Sequence, residues 1–185
     1  MPRAPLTPPG QTLEITDARS LTDGALAHLT TLAPRLSALT LVRCPGLSAA
    51  ALTVAGVAFA GQHAAGTNLA RLEALNLSGC PLALTDALLL ELVVGCPQLS
   101  SLVISGCRHL TNSGSACLGR LPHLTELDVS SCMQLTNLDA IAPTASGGCP
   151  QLTHLSVALC TGFGDRAIEA CTRGLSQLLR LNLTG

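Results

Sequence analysis

Aromatic residues are nearly absent from this chain: they make up 1% of its 185 residues, and neither Trp nor Tyr occurs. Apolar residues nevertheless reach 48%, mostly Leu and Ala, which is enough to bury a continuous core and argues against disorder. Because the large rings that fill thick cores are missing, thin repeated layers fit the composition better than one thick core.

Charge is also scarce. Only 11% of the residues are charged, and the formal net charge is −1. Such a chain has little to attract phosphate backbones or anionic lipid, so nucleic acid is not an expected partner. The stretch from Leu47 to Ala70 has no charged residue, but Ala, Gly, Ser and Thr dominate it. Its insertion into a bilayer would be weakly driven, so no membrane span is expected.

No secretory signal is visible, because residues 1–10 read MPRAPLTPPG, with four prolines and no apolar core. This segment is expected to be disordered. Without a signal, the nine cysteines are interpreted as reduced thiols of an intracellular protein, in the cytoplasm or nucleus.

An internal repeat explains most of the chain. The pattern LxxLxLxxC occurs as LSALTLVRC from Leu36, LEALNLSGC from Leu72, LSSLVISGC from Leu99, LTELDVSSC from Leu124 and LTHLSVALC from Leu152. A degenerate copy begins at Leu13, and a seventh copy, cut short, begins at Leu178. Residues 11–185 are therefore predicted to form one array of about seven units, the last truncated.

The spacing of the repeats indicates one insertion. Leu13 to Leu39 is a step of 26 residues, whereas Leu39 to Leu75 is a step of 36. About ten extra residues are therefore expected to loop out near 53–68.

Each unit has the pattern of a strand followed by a helix. Leu75 and Leu77 alternate with Asn76, which is the period of a half-buried strand. A helix-start signal, in which a hydroxyl or carboxylate can cap the helix, occurs in five units: Leu21-Thr22-Asp23, Leu84-Thr85-Asp86, Leu110-Thr111-Asn112, Leu135-Thr136-Asn137 and the variant Phe163-Gly164-Asp165. Helix ends are predicted at Gly95-Cys96-Pro97 and Gly148-Cys149-Pro150.

One strand and one helix cannot bury both apolar faces alone, so the units are expected to stack. The predicted fold class is α/β: a solenoid forming a horseshoe segment, with parallel strands on the concave face and helices on the convex face.

No constellation typical of catalysis or metal binding emerges. Cys44, Cys80, Cys107, Cys132 and Cys160 should stack on successive turns, but no CxxC pair occurs, so buried thiols donating to carbonyls are favoured over zinc. The five histidines belong to no HExxH motif, and neither GxSxG nor a phosphate-binding loop is present. The chain is expected to be no enzyme and to need no cofactor or metal.

The candidate binding residues are those that alternate with the buried strand positions. Most are small, and Arg180 is the only residue among them of a type that dominates protein interfaces. The charged patch Glu126, Asp128, His154 and Arg180 is the leading prediction. The full candidate set is Asn76, Glu126, Asp128, His154, Ser156, Arg180 and Asn182.

The motif C…[LI]T[DN]xxLxxLxxxCPxLxxLxLxxC resembles the cysteine-containing leucine-rich repeats of F-box and leucine-rich-repeat proteins and of antagonist-of-mitotic-exit-network-like proteins. The resemblance covers residues 11–185. It implies protein ligands held on the concave face and substrate recruitment or regulation within a Skp–cullin–F-box ubiquitin ligase, with ligase components as partners.

This chain departs from that family in two respects. About a dozen residues precede the first strand, too few for an F-box helical module, and the array stops inside a repeat at Gly185. A fragment or a partial product is therefore expected. The alternative function is a structural repeat subunit of a large cytoskeletal or ciliary assembly.

Overall fold

The computed structural model describes residues 10–33, 35–54, 71–80, 84–145 and 147–185. The proline-rich segment at residues 1–10 lies outside the described residues except for Gly10. Most of the insertion predicted near 53–68 lies outside them as well.

Seven strands in the described part of the chain form one open sheet. The strands are β1 (Gln11–Thr16), β2 (Leu36–Val42), β3 (Ala74–Asn76), β4 (Ser101–Val103), β5 (Glu126–Asp128), β6 (His154–Ser156) and β7 (Arg180–Asn182). Each strand pairs in parallel with the next one along the chain, so the sheet order equals the sequence order. The molecule is therefore an α/β protein built on an entirely parallel sheet.

The pairing register follows the leucine column of the repeat. Leu75 lies opposite Leu102, and Leu102 lies opposite Leu127. Leu13, Leu39, Leu155 and Leu181 continue the same column. The register predicted from the spacing is thus confirmed, because a shift by one residue would expose this leucine column.

Helical segments connect successive strands. They are α1 (Asp23–Thr31), α2 (Ala49–Val54), α3 (Asp86–Gly95), α4 (Asn112–Ser115) and α5 (Asp165–Thr172), with 3-10 turns at Leu118–Arg120 and Asp139–Ile141. They cover the leucine side of the sheet. Leu88, Leu89 and Leu92 of α3, for example, belong to the same buried cluster as the strand leucines.

The predicted caps form at three helices. The hydroxyls of Thr22, Thr85 and Thr111 accept backbone N–H groups at the starts of α1, α3 and α4. A hydroxyl acceptor satisfies an N–H that the helix itself leaves unpaired. Helix α3 ends at Gly95, as Gly95-Cys96-Pro97 predicted.

The prediction of an α-helix after Leu135-Thr136-Asn137 is wrong. The structure forms only the three-residue 3-10 turn Asp139–Ile141, so no α-helix leads into Gly148. Pro143 follows closely, and proline both lacks the N–H that a longer helix would need and restricts the residue before it.

One residue per unit adopts a left-handed backbone where the strand ends. These residues are Asp17, Arg43, Gly79, Gly106, Ser131 and Leu159. Each donates its backbone N–H to a carbonyl of the next unit, as Gly106 does to Ser130 at 2.8 Å. Glycine adopts this conformation without strain, whereas Ser131 and Leu159 adopt it at a cost.

No helix among the described residues is long and apolar enough to cross a bilayer.

Candidate protein-binding surface

Among the described residues, no helix covers the second side of the sheet. We call it the open face: it carries the strand residues that alternate with the buried leucines. Asn76, for example, is partly exposed between the buried Leu75 and Leu77. This alternation is the one predicted from the sequence.

A shallow depression of about 220 Å³ lies on the open face across the last three strands. Six candidate residues line it, and we call them the β5–β7 patch: Glu126, Asp128, His154, Ser156, Arg180 and Asn182. Leu127 and Leu155 also line the depression. Asn76 lies on β3, two strands away from β5, so it does not belong to the patch.

The patch has two parallel rows that the strand register aligns. Glu126, His154 and Arg180 form the first row. Asp128, Ser156 and Asn182 form the second row. Adjacent parallel strands lie about 4.8 Å apart, so the carboxylates of β5 and the guanidinium of β7 stand on opposite sides of the imidazole.

Neighbouring groups hold the carboxylates of β5 in place. The Ser101 hydroxyl donates to Glu126 Oε2 at 2.8 Å. Asp128 Oδ1 accepts the backbone N–H of Ser130 at 2.8 Å, which is an Asx turn at the strand end. The amide oxygens of Asn76 and Asn182 accept the N–H two residues on in the same way. These side chains are therefore oriented before any partner arrives.

His154 is also oriented by hydrogen bonds. The Thr153 hydroxyl lies 2.8 Å from His154 Nδ1 and donates to the Thr125 carbonyl, also at 2.8 Å. A hydroxyl has one hydrogen, so with that hydrogen on Thr125 the imidazole must donate from Nδ1. In the neutral ring Nε2 then has a lone pair that can accept a hydrogen bond from a partner.

The charged residues of the patch do not form ion pairs with one another. Glu126 and Arg180 are exposed, and no ion pair among the described residues includes Glu126, Asp128 or Arg180. Opposite charges at the two sides of a shallow surface favour a complementary protein surface, because each is free to pair across the interface.

The cysteines that end the five clear repeat motifs, Cys44, Cys80, Cys107, Cys132 and Cys160, form a ladder that has a structural role. Four of its five thiols donate to carbonyls of the preceding unit: Cys44 to Ile15, Cys80 to Leu41, Cys132 to Ile104 and Cys160 to Val129. All nine cysteines of the chain are buried, and none of them forms a disulfide. The prediction that these thiols donate to neighbouring carbonyls is thus confirmed for four of them.

Burial also changes the acidity of the thiols. It raises the pKa of Cys96, Cys107 and Cys149 to about 12, so these groups stay protonated near neutral pH. A protonated thiol is a poor nucleophile and a poor metal ligand. Among the described residues, no group of three His, Cys, Asp or Glu side chains has the arrangement of a metal site.

A set of polar contacts between units was not predicted from the sequence. The Asp86 carboxylate accepts both the backbone N–H of Thr111, at 2.8 Å, and its hydroxyl, at 2.6 Å. Asp23 binds Ser48 in the same way, and Asn112 binds Thr136. In the Thr-Asp motif the threonine thus caps its own helix and the acid binds the next unit. The recurrence of Asp or Asn directly after Thr was the available signal.

No protein-family model matches the chain. Antagonist of mitotic exit network protein 1 of Eremothecium gossypii is 28% identical over 160 residues, which cover 78% of this chain. The chain spans 38% of the length of that relative. It is thus similar, over most of its own length, to part of a protein named as an antagonist of the mitotic exit network.

Proposed function

We propose that this chain is a protein-recognition segment of a leucine-rich-repeat solenoid and not an enzyme. The observation that carries the proposal is the β5–β7 patch. Three adjacent strands present hydrogen-bonded acidic and imidazole groups and an exposed guanidinium over one depression, and no described ion pair neutralises them. Such a surface suits binding, whereas its shallow form offers little exclusion of water for catalysis.

The proposal includes a curved arc with the open face on its concave side. Parallel strands pack about 4.8 Å apart, whereas helices pack about 8–10 Å apart. Stacked strand–helix units therefore curve toward the strands. A partner on the inner side of such an arc would contact several units at once, and each additional strand would add a row of side chains.

The proposed biological role is regulatory. The relative's name links it to mitotic exit, and the repeat motif resembles that of F-box and leucine-rich-repeat proteins. On that basis the partner would be a regulatory protein or a substrate recruited to a ubiquitin ligase. The nine cysteines, none of which forms a disulfide, support a location in a reducing intracellular compartment.

A second candidate is a structural subunit of a large cytoskeletal or ciliary assembly. The open face outside the patch favours it, since Ala74, Ser101 and Val103 offer few large anchors. A spacer in an assembly needs little energy from any one side chain.

The test compares two quadruple variants of the full chain. The first changes Glu126, Asp128, His154 and Arg180 to alanine. The control changes four exposed residues off the open face, Glu91, His123, Arg166 and Glu169, to alanine. Partners captured by wild-type protein after crosslinking are purified, and their affinities for all three proteins are measured by calorimetry.

We expect the patch variant to lose about thirtyfold or more in affinity, as truncation of interface hot spots does, and the control to change about twofold at most. Circular dichroism checks that both variants fold. If the folded patch variant binds every partner as tightly as wild type, the proposed binding surface is wrong.

The same capture separates the two biological roles. A Skp-type adaptor, a cullin and a ubiquitinated partner would support the ligase role, and a stoichiometric set of structural subunits would support the assembly role. All ten basic residues of this chain are arginines, so its own lysine ubiquitination cannot produce the signal. If a partner binds the patch but no ligase component is found, the ligase role is excluded and the recognition role remains.

A further inference from the structure

A second groove lies at the edge of the sheet where β3, β4 and β5 end. It has a volume of about 620 Å³, larger than the depression over the β5–β7 patch. We call it the loop-edge groove, and its lining residues are Gly79, Cys80, Gly106, Arg108, His109, Ser131 and Met133. The proposed function does not depend on this groove, which shares no lining residue with the β5–β7 patch.

The groove is basic. Arg108 and His109 are both exposed in it, and none of the described residues that line it is acidic. No carboxylate of the described residues pairs with Arg108. An arginine is charged at every physiological pH, so this positive charge has no partner within the described part of the chain.

Arg43 provides an internal comparison, because its side-chain stem lies against Gly79 near one end of the groove. Its guanidinium already binds both carboxylate oxygens of Asp17, each at 2.6 Å. That pairing lowers the pKa of Asp17 and raises the pKa of Arg43. Arg43 is thus paired with a carboxylate of its own chain, whereas Arg108 is not.

The backbone under Arg108 is held in place. Gln134 Nε2 donates to the Arg108 carbonyl at 2.8 Å and ties the loop after β4 to the loop after β5. Gly79 and Gly106, which have no side chains, also line the groove. Met133 is 53% exposed, which adds a flexible apolar contact beside the basic groups.

We propose that the loop-edge groove binds an acidic, extended segment of a partner protein. Charge complementarity identifies the occupant: a carboxylate of the segment pairs with the Arg108 guanidinium through two parallel hydrogen bonds, and His109 contacts a second acidic side chain. An apolar side chain of the segment lies on Met133. This surface is independent of the β5–β7 patch, so either can fail without the other.

Met133 offers a direct probe, because Met1 is the only other methionine of the chain. Full-length protein labelled with ¹³C at the methionine methyl groups is titrated with a short synthetic peptide of Glu and Leu. The control peptide replaces each Glu by Lys. We expect the Met133 signal, and not the Met1 signal, to shift with the acidic peptide, and the lysine peptide to produce no shift.

The double variant Arg108→Ala/His109→Ala should weaken binding of the acidic peptide by about tenfold or more, as expected for loss of charge-assisted hydrogen bonds. Arg120→Ala is the matched control, because Arg120 lies on the helix side of the molecule, in a different groove. That variant should bind the acidic peptide as wild type does.

Three outcomes would overturn the proposal: no shift with the acidic peptide, an equal shift with the lysine peptide, or an equal shift with inorganic phosphate or a short DNA duplex. The last would indicate a general anion site. The reversal of peptide charge keeps the test valid even if the double variant fails to fold.

Discussion

The two faces of the seven-stranded sheet differ in how much their residues change from strand to strand. On the leucine face, each strand carries the leucine of the repeat column: Leu39, Leu75, Leu102, Leu127 and Leu155 are buried, whereas Leu13 is partly buried and Leu181, in the last strand, is exposed. On the open face, the residue that follows that leucine changes from strand to strand: Glu14, Thr40, Asn76, Val103, Asp128, Ser156 and Asn182. Stacking requires identical layers inside and leaves the outer residues unconstrained. The variable open face is therefore the side of the sheet on which the proposed recognition depends.

The largest predicted effect is a fall in the free energy of unfolding at alkaline pH, caused by the buried thiols. Unfolded thiols lose their proton near the ordinary value of 9.0, whereas Cys96, Cys107 and Cys149 keep theirs until about pH 12. The unfolded state then binds fewer protons than the native state, so the free energy of unfolding falls as pH rises above the unfolded-state pKa.

We expect a loss of about 4 kcal/mol between roughly pH 9 and 10, including smaller contributions from the less buried thiols. Urea unfolding followed by circular dichroism, with a phosphine reductant present, measures it. The chain has neither lysine nor tyrosine, so these groups do not obscure the effect. In Cys149→Ala the loss should be smaller by about 1 kcal/mol; an unchanged pH dependence would refute this explanation.

The most direct comparison of the two faces uses adjacent residues of β4. Leu102 is 1% exposed, so Leu102→Ala should cost about 3 kcal/mol through lost burial and a cavity. Val103 faces the other way and is partly exposed, so Val103→Ala should cost about 1 kcal/mol or less. Urea denaturation measures both. Equal costs would mean that the two faces of the sheet are not distinct.

Asp86→Ala tests the contacts between units. The carboxylate binds the Thr111 N–H and hydroxyl, so its removal should cost about 2 kcal/mol. Asp165 also begins a helix, α5, and Asp165→Ala serves as the control for the helix dipole, with an expected cost of about 0.5 kcal/mol. Thermal unfolding of both variants gives the difference. A cost for Asp165→Ala equal to that for Asp86→Ala would show that the inter-unit bonds contribute little.

The smallest effect concerns the left-handed positions. Gly106 has φ +82° and an open space where a Cβ would lie, so Gly106→Ala should cost about 1 kcal/mol through backbone strain alone. Ser131 has φ 59°, so the reciprocal Ser131→Gly should stabilise by about 0.5 kcal/mol. Urea midpoints measure both variants. Changes of the same sign in the two variants would contradict the assignment.

The relative positions of most candidate residues could be predicted, because these residues occupy equivalent positions in successive repeats. Once Leu127, Leu155 and Leu181 are aligned, Glu126, His154 and Arg180 must share one row. Asn76 occupies the same position of its own repeat but lies two strands away from β5, too far along the sheet to join the patch.

Other features depended on contacts that no local pattern reveals. The Thr136-Asn137 signal looks like that of Thr85-Asp86, yet it leads to a 3-10 turn because of Pro143. Helix α4 is short and contains Gly114, where a side chain would collide with the Asp86 carboxylate. Arg108, His109 and Met133 belong to two different units, and their groove exists only where those units stack.

The residue pattern was enough to predict the strand register, the buried leucine positions and the thiol positions, because each follows from a period that burial enforces in the repeat. The structure was needed to see which exposed groups meet, which carboxylates bind the next unit and where the loop-edge groove lies. Those features arise between units, where hydrogen bonds and charges depend on distances across the stack and not on spacing along the chain.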